Sequence, residues 1–352
     1  MHEQFLLAAL QQALLGRGVC APNPAVGAVA VHNGGIIAQA FHSGAGLPHA
    51  EQLLLEKLPA SCAGVTVYVT LEPCNHWGRT PPCVDALIAR GVKRVVYAYR
   101  DPNPVVASND TPARFLASGI EAIHHPLPAI DEFYQSYTYW LQTGRPWVTV
   151  KIAQTLDGKI AGKGGARTVL SNALCAEFTH EQRRRSDVLL TTAATVNQDD
   201  PLLNVRQKDG VMSKPVALLD RCGRVNPDAQ LHATAAHCFV YHAEGRVVSE
   251  PSARCSFHPI LSDENGLDLT AILEHLGRLG YHDVWVEAGA QLFNALHRAG
   301  LVNRTYVYLV PRVLGEEATS LYHDGVVFSA AKKIEWRVMG DNVMAILDWS
   351  HY

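Results

Sequence analysis

The sequence contains no apolar run approaching the roughly 20 residues that a membrane-spanning helix needs, so no membrane is expected as a partner. Its first residues, Met1-His2-Glu3-Gln4-Phe5-Leu6-Leu7, lack the cationic stretch of a secretion signal. That absence gives a cytoplasmic expectation. Net charge is also scarce, at −3. No general field draws a polyanion, and nucleic acid is not expected as a partner. There is no polar low-complexity tract, and with 48% hydrophobic and 18% charged residues the chain has the composition of an ordinary globular protein. No internal repeat relates its halves. Without a secretion signal, the eight cysteines read as thiols or metal ligands rather than a disulfide framework. Cys20, Cys62, Cys175, Cys222, Cys238 and Cys255 lack ligand-like spacing and are expected to be plain thiols.

What is present is enough chain for two cores. The 352 residues exceed the roughly 100 to 150 of a single domain, and a boundary is expected near Gly144-Arg145-Pro146, giving domains 1–145 and 146–352. Apolar residues Phe5, Leu6, Ala9, Leu10, Ala13 and Leu14 recur at helical spacing. The runs 25–31 and 36–40 flank Asn33-Gly34-Gly35 and predict a hairpin. Thereafter helix and strand alternate: strands at 65–70, 94–99 and 120–123, helices at 48–58, 83–89 and 112–118, then an aromatic helix with Phe133, Tyr134, Tyr137 and Trp140. Alternation predicts parallel pairing. A second series follows, with strands at 147–153, 188–192, 216–220, 238–241, 284–287 and 305–310, helices at 173–184, 269–279 and 291–299, and a final run 343–349 that can close the sheet.

Chemistry concentrates in the first half. His49-Ala50-Glu51 alone is a common way to start a helix. The specific signal comes later, where a strand runs into Glu72-Pro73-Cys74 and a second thiol, Cys83, opens a helix. One imidazole and two thiolates make three zinc ligands, and three protein ligands leave a tetrahedral position for water, as at a catalytic site. Zinc brings the pKa of such a water toward about 7. Glu51, two residues past the histidine, reaches that water without ligating and is the candidate general acid and base. This is the H-x-E and P-C-x-x-C logic of zinc deaminases, except that here the cysteines are far wider apart. A closed structural zinc site is the other reading, with His76 the only nearby fourth ligand.

The longer loop has its counterpart in a known family. Glu72-Pro73-Cys74-x-His76-x-Gly78-Arg79-Thr80-Pro81-Pro82-Cys83 resembles the deaminase half of the bifunctional riboflavin-pathway deaminase/reductase, as do Pro22-Asn23-Pro24-x-Val26-Gly27, Gly46-x-Pro48-His49-Ala50-Glu51 and Asp101-Pro102-Asn103-Pro104. The resemblance implies a cytidine-deaminase-like three-layer α/β/α domain, zinc on His49, Cys74 and Cys83, and Glu51 as proton shuttle. It also implies a substrate pocket lined by Asn23, His42, His76, Arg79, Asp101 and Asn103. Asn23 can pair with a pyrimidine's amide edge, and Arg79 suits a phosphate or ribose oxygen. Equally, Asn23 between prolines is a turn residue, and Asp101 and Asn103 can simply organise a loop.

In the second half, Ala194-Thr195-Val196-x-x-Asp199-Asp200-Pro201-x-Leu203-x-Val205-Arg206 and Val284-Trp285-Val286-Glu287-Ala288-Gly289 resemble the reductase half of the same family. That implies a dihydrofolate-reductase-like α/β domain using NADPH; no G-x-G-x-x-G loop supports a Rossmann alternative. By the resemblance Lys151 is catalytic and contacts the open-chain ribose. Arg183, Leu203, Arg206 and Glu287 hold the sugar phosphate, and Ala153, Ser171, Thr195, Asp199 and Gly289 face the cofactor. Two places depart from the family: Arg167-Thr168-Val169-Leu170, where a tryptophan is frequent, and Arg221-Cys222, where a serine is common. The whole reading is a small phosphorylated aminopyrimidine deaminated in one domain and reduced with NADPH in the other, in a homo-oligomer. A deaminase whose second domain has lost or changed its activity is the alternative.

Overall fold

In the computed structural model, residues 2–77, 81–107, 110–166, 168–245, 254–322 and 331–349 are described. The chain divides into two units, Met1–Gly144 and Arg145–Tyr352.

The first unit opens with α1 (His2–Gly16), whose Phe5, Leu6, Ala9, Leu10 and Ala13 form the buried stripe. β1 (Gly27–His32) and β2 (Gly35–Phe41) form the hairpin. Its turn places Asn33 and Gly34 at φ 49° and 79°, the left-handed pair that matches strand twist. Then come α2 (Ala50–Glu56), β3 (Thr66–Leu71), α3 (Cys83–Ala89), β4 (Arg94–Tyr99), α4 (Pro104–Ala107), α5 (Thr111–Ala117), β5 (Glu121–His124) and α6 (Pro128–Thr143). α6 starts on a proline and stops at Gly144, whose φ of 70° ends the helix.

The strand order is β2-β1-β3-β4-β5. The hairpin is antiparallel and pairs antiparallel with β3, while β3, β4 and β5 run parallel. Apolar side chains leave both faces of the central strands, as a sheet covered on both sides requires. Val67, Val69 and Val95 meet Leu54, Leu87 and Phe115 of α2, α3 and α5 on one face. Val29, Tyr68 and Val96 meet Leu6, Ile130 and Phe133 of α1 and α6 on the other. The layers are α/β/α.

The second unit contains β6 (Trp147–Thr155), β7 (Lys159–Lys163), α7 (Ala173–Arg185), β8 (Val188–Thr192), α8 (Ala193–Asp199), β9 (Val205–Gln207), β10 (Gly210–Met212), β11 (Pro215–Leu219), α9 (Leu231–Thr234) and β12 (His237–Ala243). It continues with β13 (Cys255–Ile260), β14 (Ser262–Asp263), β15 (Gly266–Leu267), α10 (Leu269–Arg278), β16 (Asp283–Glu287), α11 (Ala290–Arg298), β17 (Arg304–Val310), β18 (Ala318–Ser320), β19 (Lys333–Met339) and β20 (Asn342–Asp348). Nine strands form one sheet in the order β13-β12-β11-β8-β16-β6-β17-β20-β19. Strands β13 through β17 are parallel, and β20 and β19 are antiparallel additions.

The final run does not end this sheet. β20 lies inside it, between β17 and β19. β19 is an alternating strand whose Ile334, Trp336 and Val338 are exposed, and the periodicity of Ile, Trp and Val was there to be seen. One face of the sheet buries Val150, Leu190 and Val286 under α10 and α11. The other buries Leu189, Trp285 and Tyr308 under α7 and α9.

Candidate functional site

In the first unit three chain segments converge. His49 is the N-cap of α2, and Gln52 returns its side chain to the His49 N–H. Cys83 opens α3. Cys74 lies just past the end of β3, held by the Cys83 N–H to its Sγ at 3.3 Å and the Val84 N–H to its carbonyl. The ligand atoms of His49, Cys74 and Cys83 all lie within 4.8 Å of one another. His49 Nδ1 is 3.3 Å from Cys83 Sγ and 3.6 Å from Cys74 Sγ.

Those separations fit a zinc ion. Bonds of 2.3 Å to sulfur and 2.0–2.1 Å to nitrogen at a tetrahedral angle require an N···S edge of about 3.6 Å. The electrostatics fit as well. The Cys83 thiol, and secondarily His49, hold Cys74 as a thiolate at about 4, and that anion, followed by burial, pushes Cys83 far up. Only a cation among them holds both sulfurs ionised. His76 is not part of this group; it lines the neighbouring cavity, with its Nδ1 buried and without a hydrogen-bond partner among the described residues.

That cavity, of about 380 Å³, is lined by Asn23, His42, His49, Glu51, Cys74, His76, Asp101 and Asn103, among others. Glu51 is 4% exposed, and burial, followed by the charge on Cys74, pushes its carboxyl up to about 7. A carboxyl poised there can both take and give a proton at neutral pH.

His42 shows how Asn23 is aimed. His42 Nδ1 lies 3.0 Å from the Pro48 carbonyl, which can only accept, so Nδ1 carries the proton. Burial lowers the pKa of His42, leaving it neutral, so its Nε2 accepts from Asn23 Nδ2 at 3.1 Å. This turns the amide so that Oδ1 is the atom left to meet a ring N–H or amine. Asp101 and Asn103 organise their loop, accepting from the Asn103 and Val105 N–H groups respectively, and also border the cavity. Burial raises Asp101 to about 6. Arg79 lies outside the described residues.

The sequence reading missed one wall. Tyr137, Trp140 and Leu141 of α6 and Glu72 also line the cavity. The aromatic spacing of α6 marked a packed helix, yet nothing in it distinguished core from pocket.

In the second unit, parallel strands β6, β8 and β16 end on one edge, the edge where such sheets bind ligands. Lys151 and Glu287 are direct register partners. Arg183 from α7 donates to Glu287 from Nε at 2.6 Å and from Nη2 at 2.9 Å, and Trp285 Nε1 adds a third bond at 2.8 Å. Arg183 also donates to the Asn204 carbonyl. Burial would raise Glu287, but the Arg183 charge and hydrogen bonds outweigh it and hold the carboxyl at about 2. Burial lowers the Lys151 ammonium, which Glu287 partly offsets and which lies 5.2 Å from the centre of the Tyr308 ring.

Arg183 and Glu287 are thus paired with each other. Arg206 is exposed, with Nη1 on Asn204 Oδ1 at 2.7 Å. Leu203 is buried at a positive φ of 43°.

Ala153 lies near the end of β6, Ser171 just before α7, Thr195 in the first turn of α8 and Asp199 at its last residue. Gly289 is the N-cap of α11, which has no side-chain cap, and a Cβ there would meet nothing within 4 Å. Open space over uncapped amides fits a cofactor phosphate. The Thr168 hydroxyl accepts from the Gly162 N–H and donates to the Ala166 carbonyl, closing the turn after β7. Sequence reading did not single out Tyr308, Trp285 as a hydrogen-bond donor, or Asn204.

Comparison with known proteins agrees with both units. Residues 1–99 match the cytidine and deoxycytidylate deaminase zinc-binding region, and residues 146–345 match the RibD C-terminal domain. The riboflavin biosynthesis protein RibD of Escherichia coli (strain K12) is 35% identical over 331 residues, spanning 91% of this chain and 90% of that protein. The chain belongs to the RibD family. Its RibD relative in Haemophilus influenzae is also 35% identical, over 90% of this chain and 88% of its own length.

Among solved structures, Acinetobacter baumannii RibD superposes with a TM-score of 0.85 at 29% identity, covering 99% of this chain and 98% of that one. A Thermotoga maritima diaminohydroxyphosphoribosylaminopyrimidine deaminase/5-amino-6-(5-phosphoribosylamino)uracil reductase gives 0.85 at 30% identity with the same coverage. The chain is a bifunctional RibD enzyme of riboflavin biosynthesis, a zinc-dependent deaminase joined to an NADPH-dependent reductase. Among the described residues no helix is long and apolar enough to cross a membrane.

Proposed function

We propose that residues 1–145 deaminate 2,5-diamino-6-(5-phosphoribosylamino)pyrimidin-4(3H)-one and that residues 146–352 then reduce its ribosyl chain to ribityl, with the residues below in the stated roles. The observation that carries the first step is the convergence of His49, Cys74 and Cys83 on one point beside a buried carboxyl. Zinc held by these three supplies the Lewis acidity that makes water nucleophilic at neutral pH. Glu51 takes the proton of the attacking water and delivers it to the ring nitrogen next to the reacting carbon. It then takes the proton of the newly attached hydroxyl and gives it to the departing amine, so that the C–N bond breaks as the carbonyl forms, water enters and ammonia leaves. Asn23 Oδ1, fixed by His42, accepts from the pyrimidine's donor edge. Asp101, Asn103 and His76 border the ring or ribose, and Arg79 is assigned a phosphate or ribose oxygen.

In the second unit NADPH supplies the hydride. Lys151 holds the ribose oxygen through its ammonium, kept in place by Glu287. With Arg183 committed to Glu287 and Asn204, Arg206 is the cation more available to the phosphate. Leu203 forms the apolar wall. Ala153, Ser171, Thr195, Asp199 and the amides after Gly289 are assigned to the cofactor. The exposed face of β19, with Ile334, Trp336 and Val338, supports a homo-oligomer, and the low net charge supports a small-molecule partner over a nucleic acid.

Mass spectrometry of the products made from the diamino substrate tests both steps. Without NADPH the deaminated ribosyl compound is expected, and with NADPH the ribityl compound. Glu51→Gln should keep its zinc and lose about 10²- to 10⁴-fold in deamination, while still reducing deaminated substrate. Unchanged deamination in that variant would sink the assignment.

A further inference from the structure

The described residues bring together a second group of one histidine and two cysteines. His232 on α9, Cys238 on β12 and Cys255 on β13 offer ligand atoms that all lie within 4.8 Å of one another. Cys238 and Cys255 are direct partners in the parallel β12–β13 register, so strand pairing directs both thiols to one face. Helix α9 covers that face, with its Leu231 and the C-capping Ala235 in the same core as Cys238. Neither cysteine is in a disulfide.

The histidine is set up as a ligand. Its Nε2 lies 3.2 Å from the Asn226 carbonyl, which can only accept, so Nε2 holds the proton and Nδ1 holds the lone pair. Nδ1 faces Cys255 Sγ at 3.7 Å. A backbone carbonyl fixing one ring nitrogen while the other turns to a metal is the usual support of a ligating histidine. The distance is close to the N···S edge of about 3.6 Å that a tetrahedral zinc demands. It also matches the 3.3 Å and 3.6 Å found around His49. Thiolate and imidazole donors select zinc and its soft neighbours over magnesium or calcium.

We infer that His232, Cys238 and Cys255 bind a second divalent metal ion of the zinc type, which fastens β13 and α9 to β12. Among the described residues β13 is the outermost strand of the nine-stranded sheet, paired only with β12, and an edge strand is the least held position in a sheet. The group contains no carboxylate, unlike the His49 site with Glu51 beside it. With no carboxylate to shuttle protons, its role is to hold structure.

Metal analysis of the full-length protein, purified with reductant and Zn²⁺, tests this. About two zinc ions per chain are expected in the wild type and about one in each of His232→Ala, Cys255→Ser and Cys74→Ser. Loaded with Co²⁺, Cys74→Ser should keep a sulfur-to-cobalt charge-transfer band that Cys74→Ser/Cys255→Ser loses. Deamination should fall with Cys74→Ser and persist in His232→Ala, which separates failure of this site from failure of the His49 site.

A wild type holding about one zinc that Cys74→Ser removes overturns the inference. So do two ions untouched by His232→Ala and Cys255→Ser. Should these variants not fold, peptide mapping of the wild type decides. Zinc-dependent protection of Cys255 from alkylation supports the site, and either a Cys238–Cys255 disulfide or alkylation indifferent to zinc overturns it.

Discussion

Among single residues, Glu287 is a buried carboxyl of the second unit held ionised by its partner. Its carboxyl falls from 4.5 to about 2 because Arg183 answers its burial. A carboxyl depressed in the folded state stabilises that state above its unfolded pKa. This contribution is complete above pH 4.5 and is lost as the pH falls toward and through about 2. A shift of that size corresponds to about 3 kcal/mol. Urea unfolding between pH 5 and 2 should show an acid slope that Glu287→Gln flattens, and an unchanged slope would show that the ion pair does not contribute. The residues of the first site were legible because a motif names them in order: His49 and Glu51 two apart, then Cys74 and Cys83. His232, Cys238 and Cys255 were not legible. The two thiols meet only through strand register, and spacing along the chain carries no trace of which strands will pair.

Among elements, the contact between α1 and β1 shows why a glycine stands at the end of the Pro22-Asn23-Pro24-x-Val26-Gly27 block. A Cβ on Gly27 would lie 2.0 Å from the Ala9 carbonyl oxygen and 2.4 Å from the Ala13 nitrogen. Both are backbone atoms of α1, so the helix itself would have to move. Gly27 also donates its N–H to Thr70, whose hydroxyl meets Tyr134 on α6. Gly27→Ala should therefore destabilise the protein by at least about 1–3 kcal/mol in denaturant unfolding and lower deamination with it. Gly289→Ala is the contrast, because its Cβ meets nothing. That variant should fold normally yet raise KM for NADPH, and equal effects of the two substitutions on stability would contradict this account. The strands that sequence reading found are those rich in Val, Ile and Tyr. β13, with Ser256, His258 and Pro259, and β7, with Lys159, Gly162 and Lys163, went unread. Tertiary pairing, not propensity, makes them strands.

For the whole molecule, each catalytic constellation is built from residues of one unit, and each unit has its own cores on both faces of its own sheet. No residue placed at the deamination cavity comes after Leu141, and none assigned to reduction precedes Lys151. Neither chemistry then needs the other site to be intact in the same chain. An equimolar mixture of Glu51→Gln and Lys151→Met, each unable to make the ribityl product alone, should make it together from the diamino substrate and NADPH. The first variant supplies a working reductase and the second a working deaminase. A competing excess of deaminated substrate analogue should suppress the mixture's output, because the intermediate must pass through solvent between chains. If the mixture stays inactive while each variant keeps its own half-reaction, the intermediate is never released from the chain that made it, and the two steps are coupled more tightly than separate cores require.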